Sequence, residues 1–257
     1  MHKKIVFFDI DGTILNETNK IPSSTKQAIK QLQDNGVYVA IATGRAPFMF
    51  EHIRKELNIH SFVSFNGQYV VFEEEEVYTN PINSDELADL YQATLKHKFP
   101  IVFMNHQQMK ATVPDHPFID KSLKSLDFSY PDVDPAFYKQ ESIYQALLFC
   151  DEKEEKLFAK DHKALHFLRW HEYSCDIIPQ GGSKAVGVKK LIEASGLNIE
   201  DTYAFGDGLN DMEMIKEIGT GVAMGNAIQE LKTVADYTTD HVEKDGIAKG
   251  LKQLRLI

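Results

Sequence analysis

The fold is decided by Ile5-Val6-Phe7-Phe8-Asp9-Ile10-Asp11-Gly12-Thr13. Four consecutive β-branched and aromatic residues, without alternation, read as a strand buried on both faces, as in a parallel sheet. Two carboxylates then close the strand and Gly12 breaks it. Two like charges at the end of an apolar strand repel unless a cation lies nearby, so this ending already points to chemistry as well as to a turn.

Working outward, Ala28, Ile29 and Leu32 make an apolar stripe for a helix beginning near Ser23, with IPSST supplying a proline and hydroxyl caps and Asn35-Gly36 stopping it. VYVAIA (37–42) is a second strand ending at Thr43-Gly44-Arg45, a helix covers Pro47 to Leu57, and SFVSF (61–65) is a third strand. This alternation predicts an α/β fold, a doubly wound, Rossmann-like parallel sheet with right-handed crossovers. QYVVFEEEEVYTN (68–80) then reads as a hairpin whose acidic run, Glu73 to Glu76, forms a solvated turn. The block 84–182 is α+β, with QALLFC (145–150) and the amphipathic EEKLFAKDHKAL (154–165) its clearest elements. Alternation returns at Ser183, which caps a helix starting at Lys184. Thr202 to Phe205 is a buried strand ending at Gly206-Asp207-Gly208. A helix at about 209–217, a strand at 221–224, a short helix near 227–233 and a final helix from Gly246 follow. The expected organisation is a core from residues 1–83 and 183–257, with an inserted α+β cap domain at 84–182.

Composition narrows the function. With 43% hydrophobic and 26% charged residues, the 257-residue chain is of ordinary soluble globular type. Its net charge of −10 argues against nucleic acid as a polymer partner and against an anionic membrane surface. Any anionic substrate must then be met by local cations or a metal. Cys150 and Cys175 are too few for a disulfide framework or a Cys-rich zinc site. The apolar run before Asp9 is shorter than the 7–15 residues of a secretory h-region, and no run reaches the ~18 residues that span a membrane. A cytoplasmic protein, monomeric or weakly homo-oligomeric, is the expectation.

In an open α/β sheet, ligands bind beyond the carboxyl ends of the strands. Asp9 and Asp11 arrive there from the first strand, Thr43 and Gly44 from the second, Asp207 from the late strand with Asn210 and Asp211 just beyond, and Lys184 from a helix N-terminus. Carboxylates beside a lysine, a threonine and glycine-rich turns suit Mg²⁺ and phosphate, since Mg²⁺ takes oxygen ligands and pairs with phosphate. In an extended segment residues i and i+2 share a side, so Asp9 and Asp11 can face one ligand. One carboxylate can attack phosphorus while the other protonates the leaving oxygen and later activates water.

DIDGT, ATGR, Lys184 and GDGLND, in this order, resemble the motifs of the haloacid dehalogenase (HAD) superfamily, and an insert between Thr43 and Lys184 resembles its Cof-type sugar-phosphatase branch, subclass IIB. The resemblance covers core and cap. It implies a Mg²⁺-dependent phosphatase acting on a small phosphorylated metabolite, a sugar phosphate or related ester, through an aspartyl-phosphate. By similarity Asp9 is the nucleophile and Asp11 the general acid/base. Thr43, Gly44 and Lys184 hold the phosphoryl group with Asn210 beside them. Mg²⁺ is held by the Asp9 side chain, the Asp11 backbone carbonyl and Asp207, with Asp211 in support. Ala185 departs from the glycine that many relatives carry after the lysine.

The resemblance also implies that the insert excludes water and contacts the leaving group. Asn105, His106, His116, Arg169, Trp170 and His171 are its candidates for contact, with packing or surface roles the plainer reading of each. Arg45 reads as a substrate contact or a structural ion pair. The alternatives are a sugar phosphomutase with the same nucleophile, a receiver-type phosphorylated switch, and a non-catalytic phosphate-binding protein. Receivers are much shorter and phosphorylate an Asp after a later strand than the acidic pair.

Overall fold

The computed structural model describes residues 3–257. Its first segment runs β1 (Ile5–Phe8), α1 (Ser23–Asp34), β2 (Tyr38–Ala42), α2 (Glu51–Leu57), β3 (Ser61–Ser64), β4 (Tyr69–Phe72) and β5 (Glu75–Thr79). All four residues of β1 and of β3 are buried, as expected for strands covered on both faces. The insert contributes α3 (Ser84–His97), β6 (Ile101–Met104), β7 (Met109–Ala111), α4 (Pro117–Lys124), β8 (Gln145–Leu148), α5 (Glu152–Asp161), β9 (Leu165–His171) and β10 (Ser174–Pro179). The last segment runs α6 (Lys184–Ser195), β11 (Thr202–Gly206), α7 (Met212–Glu217), β12 (Thr220–Ala223), α8 (Gln229–Val234), β13 (Tyr237–Thr238) and α9 (Gly246–Gln253).

Two compact units result. One holds the chain up to Arg45, Met49–Tyr78 and Ser183–Ile257; the other holds Ala46–Phe48 and Thr79–Gly182. Among the described residues, eight strands of the first unit order as β13-β12-β11-β1-β2-β3-β4-β5. From β13 to β3 every neighbouring pair is parallel, and β4 returns antiparallel to β3. The chain steps outward from β1 through β2 to β3, then re-enters on the other side of β1 as β11. The β1–β11 boundary is therefore the point at which strand order reverses, where such sheets open a crevice beyond their carboxyl ends. The second unit is a five-stranded antiparallel sheet, β7-β6-β8-β10-β9. Leu87 and Leu90 of α3 and Phe158 of α5 belong to its buried core together with Phe103, Leu148 and Ile177. No helix among the described residues is long and apolar enough to cross a membrane.

Several local expectations shift. The helix expected over Pro47–Leu57 is a 3₁₀ turn, Pro47–Met49, followed by α2, because Phe50 leaves helical geometry (φ −126°, ψ 16°). Phe50 is fully buried and packs edge-on against Phe62, 5.5 Å between centroids, so tertiary packing overrides the local continuation. The hydroxyls of IPSST make no cap: Pro22 occupies that position, with no side-chain hydrogen bond. Only Glu73 and Glu74 form the hairpin turn, at φ 49° and 69°, while Glu75 and Glu76 already belong to β5. The helix read over 154–165 stops at Asp161, since His162 adopts φ −113°, ψ 65° and Leu165 starts β9. The short strand β13 has no counterpart in the sequence pattern; both its residues are exposed.

Candidate active site

Register brings the strand-end residues together before any side chain is considered. Phe8 pairs with Phe205 on one side and with Ile41 on the other. Asp9, Asp207 and Thr43 thus emerge within a residue or two of one another, at the carboxyl ends of β1, β11 and β2. The Asp9 N–H donates to the Phe205 carbonyl at 3.0 Å, so the sheet continues one residue into the site. The chain then folds into a tight turn, with Leu15 N–H on the Ile10 carbonyl at 2.8 Å and Gly12 N–H on the Leu15 carbonyl at 3.0 Å. Gly12 sits at φ 75°, and a Cβ there would collide with the Asp207 carboxylate. Only glycine allows both the backbone angle and that approach.

Lys184 enters from the first turn of α6, whose N-cap Ser183 accepts the Val186 N–H at 3.4 Å. The lysine is 1% exposed. Its Nζ donates to Asp9 Oδ1 at 2.5 Å and to Asp211 Oδ1 at 2.7 Å. Asp211 is wholly buried and its other oxygen accepts the N–H groups of Asp207 and Gly208, each at 3.0 Å. Asp211 therefore binds the lysine to the Asp207 loop. Ligand oxygens of Asp9, Asp207 and Asp211 lie within 4.8 Å of one another.

Asp11 stands outside that cluster. Its half-exposed carboxylate is held by both prongs of the buried Arg45 guanidinium, Nε to Oδ2 at 2.9 Å and Nη2 to Oδ1 at 2.5 Å. Of the two readings of Arg45, the structure displays the ion pair. Thr43 is 1% exposed, and its hydroxyl oxygen accepts the Arg45 N–H at 3.1 Å, which leaves the hydroxyl proton for another acceptor. Gly44 lies against the side chain of Asn66. Asn210 is exposed on the 209–211 turn and makes no hydrogen bond to the cluster.

Electrostatics describe an under-compensated site. Burial comes first in pushing Asp9 well above the ordinary carboxylate range; Lys184 opposes the shift, and Asp211, Asp207 and Asp11 add to it. Burial, then the Asp211 charge, pushes Asp207 up to about 7. Burial alone would lower Lys184, but Asp211 and Asp9 outweigh it and hold the ammonium above the ordinary lysine range. With all groups ionised, four carboxylates (Asp9, Asp11, Asp207, Asp211) face two cations (Lys184, Arg45). The excess equals the charge of one divalent ion, and an all-oxygen donor set suits a hard one such as Mg²⁺.

Three residues to which the sequence pattern gave no role support this site. Thr13 donates its hydroxyl to Asp207 Oδ1 at 3.2 Å. Asn226, one residue beyond the Met224-Gly225 exit of β12, donates to the Gly12 carbonyl at 2.8 Å. Asn66 follows β3 at φ 51°, and its N–H donates to the Thr43 carbonyl at 3.1 Å. Each lies just past a strand's carboxyl end, the one signal that could have singled them out.

The profile of the haloacid dehalogenase-like hydrolases matches residues 6–251. YkrA of Bacillus subtilis (strain 168), whose phosphatase name is provisional, is 49% identical over 257 residues, covering the whole of both chains. In the same organism the 5-amino-6-(5-phospho-D-ribitylamino)uracil phosphatase YcsE is 29% identical over 266 residues, covering 97% of this chain and 94% of its own. Among solved structures, the phosphatase BT1666 of Bacteroides thetaiotaomicron superposes with a TM-score of 0.91 at 27% identity, over 100% of this chain and 96% of its own. The HAD subclass IIB sugar phosphatase BT4131 superposes at 0.87 with 30% identity, over 99% and 100%.

Proposed function

Because the chain belongs to the haloacid dehalogenase-like hydrolases, we propose that it hydrolyses phosphate monoesters of small metabolites, sugar phosphates or related polyol esters, with Mg²⁺ and through an aspartyl-phosphate on Asp9. The observation that carries this reading is the meeting of Asp9, Lys184 and Asp207 at the strand-order reversal. The names of YcsE and BT4131, a ribityl-phosphate and a sugar phosphatase, support the substrate class.

In this mechanism a carboxylate oxygen of Asp9 attacks phosphorus. Lys184 fixes the orientation of that carboxylate through its contact with Oδ1 and offsets charge on the phosphoryl oxygens. The Thr43 hydroxyl and the neighbouring N–H groups donate to those oxygens, and Asn210, exposed nearby, joins them. Asp11 delivers a proton to the leaving ester oxygen as the P–O bond breaks, which releases the alcohol. As a carboxylate it then takes a proton from the water that attacks the aspartyl-phosphate, releasing phosphate and restoring Asp9. The two-pronged Arg45 contact positions Asp11 in its carboxylate form, the base of the second transfer. For the first transfer, one Asp11 oxygen leaves the guanidinium to carry the proton. The Asp9 and Asp207 carboxylates and the Asp11 backbone carbonyl would hold Mg²⁺, with Asp211 in support, and the bound ion would supply positive charge opposite the transferring phosphoryl group.

The test is phosphate release from a panel of phosphorylated sugars, polyols and nucleotides with MgCl₂, with Asp9→Asn as the blank. Release from one chemical class, lost in the blank, is expected. Isomerised phosphosugar without phosphate would overturn hydrolysis in favour of a mutase, and equal release by Asp9→Asn would overturn the nucleophile.

A further inference from the structure

Asp207 is the carboxylate of the cluster that Lys184 does not touch. It is nevertheless held at both oxygens. The hydroxyl of Thr13, itself fully buried, donates to Oδ1 at 3.2 Å. The side-chain amide of Asn226 donates to Oδ2 at 3.4 Å and to the Gly12 carbonyl at 2.8 Å. The other end of that amide is fixed too, because Asn226 Oδ1 accepts the Val242 N–H at 3.0 Å. At the backbone, the Ile228 N–H donates to the Asp207 carbonyl at 3.1 Å. Two segments meet at this side chain, the turn after β1 through Thr13 and the loop after β12 through Asn226, and the loop before α9 in turn holds Asn226.

A carboxylate facing Asp9 and Asp211 would turn away from them in the absence of other constraints, since like charges repel. Donors at both oxygens fix its torsion against that repulsion. Their attachment to residues 12 and 13 ties the position of Asp207 to the same turn that carries Asp9 and Asp11.

We propose that Thr13 and Asn226 are positioning residues that clamp Asp207 in the orientation for binding a divalent cation, and so set the affinity of that site. The inference rests on the divalent-cation reading above. Partners that orient a ligating carboxylate change metal affinity by about 10–100-fold when removed. A bond that merely stitched loops together would change stability and leave affinity alone.

Isothermal titration of MgCl₂ into EDTA-stripped full-length protein decides the matter, read beside thermal unfolding without metal. Thr13→Val keeps the side-chain shape but loses the donor, Thr13→Ser keeps the donor, and Asn226→Ala removes the amide. The expected result is Mg²⁺ binding weakened about tenfold or more in Thr13→Val and Asn226→Ala, and within about twofold of wild type in Thr13→Ser. If Asn226→Ala does not fold, the Thr13 pair decides alone. Folded Thr13→Val that binds Mg²⁺ like wild type overturns the clamp and leaves the cation reading standing. Absence of binding by the wild-type protein overturns the cation reading and the clamp with it.

Discussion

Two regions of this chain gather ionisable and aromatic side chains, and they treat them in opposite ways. At the carboxyl ends of β1 and β11, carboxylates are buried facing one another, with fewer cations than anions among them. In the insert, around the β9–β10 hairpin, the buried charges are paired one to one within their own unit, although Trp170 Nε1 and Ser174 Oγ are buried there without a hydrogen-bond partner among the described residues. Arg169 pairs with Glu155 at 2.6 Å and donates to the carbonyls of Cys150, His171 and Glu172. His171 Nδ1 meets Ser122 Oγ at 3.0 Å and the Tyr173 N–H at 3.2 Å. The same holds elsewhere in that unit: Asn105 caps the Gln107 and Gln108 N–H groups, and His116 caps α4. Matched polar groups build architecture. An unmatched charge excess costs stability unless the carboxylates take up protons or a cation binds, and it is what the divalent-cation reading above would relieve.

The largest expected effect separates the regions outright. Asp9→Asn should lower phosphate release by about 10⁴-fold or more, as loss of a nucleophile does, with unchanged circular dichroism. Appreciable turnover by the folded variant would mean that the strand-end cluster is not the reacting site. Next comes Lys184→Met. It removes the cation shared by Asp9 and Asp211, leaving two buried carboxylates without their partner. Breaking a buried pair in this way costs about 3–5 kcal/mol, readable as a lower urea midpoint in EDTA. Loss of activity without loss of stability would show that the lysine is not the counter-charge the geometry makes it.

Much of this contrast was legible in the sequence, for a physical reason. Strands buried on both faces read as unbroken apolar runs, so β1, β2 and β11 stood out, and the acids that interrupted them stood out with them. Lys184 was visible because Ser183 caps its helix. The Arg45–Asp11 fork joins residues 34 apart and the Thr13–Asp207 bond residues 194 apart, and no local pattern encodes such partners. In the insert, sequence could nominate Arg169 or His171 but could not show which valences were already used. There, composition suggests contact while geometry supplies an internal partner.

Arg169→Ala sharpens the comparison from the other side. Truncation removes the guanidinium that pairs with Glu155 and donates to three carbonyls, so the insert should be destabilised by about 1–3 kcal/mol. Trp170, the chain's one tryptophan, lies in β9 and reports this unit's unfolding by fluorescence. Unchanged stability with a raised ester KM would instead make Arg169 a substrate contact and end the distinction drawn here.

The smallest effect is one of sign. In the metal-free core, Asp9 and Asp207 are raised, the latter to about 7. The unfolded chain releases these protons near the ordinary carboxylate value, about 4, while the fold retains them. Their contribution to stability therefore falls as pH rises from about 4 toward 7. Burial lowers His171 and His116 instead. Below about 6.5 the unfolded chain takes up protons that these histidines resist in the fold, so the insert loses stability as pH falls. With EDTA present, acidification from pH 7 to 5.5 should move the Trp170 transition to lower urea, and His171→Gln should reduce the movement. Relative to wild type, Asp207→Asn should gain stability as pH rises over the same interval. A Trp170 transition that moves to higher urea on acidification would mean that the insert's histidines are stabilised by charge, as an unmatched site would be.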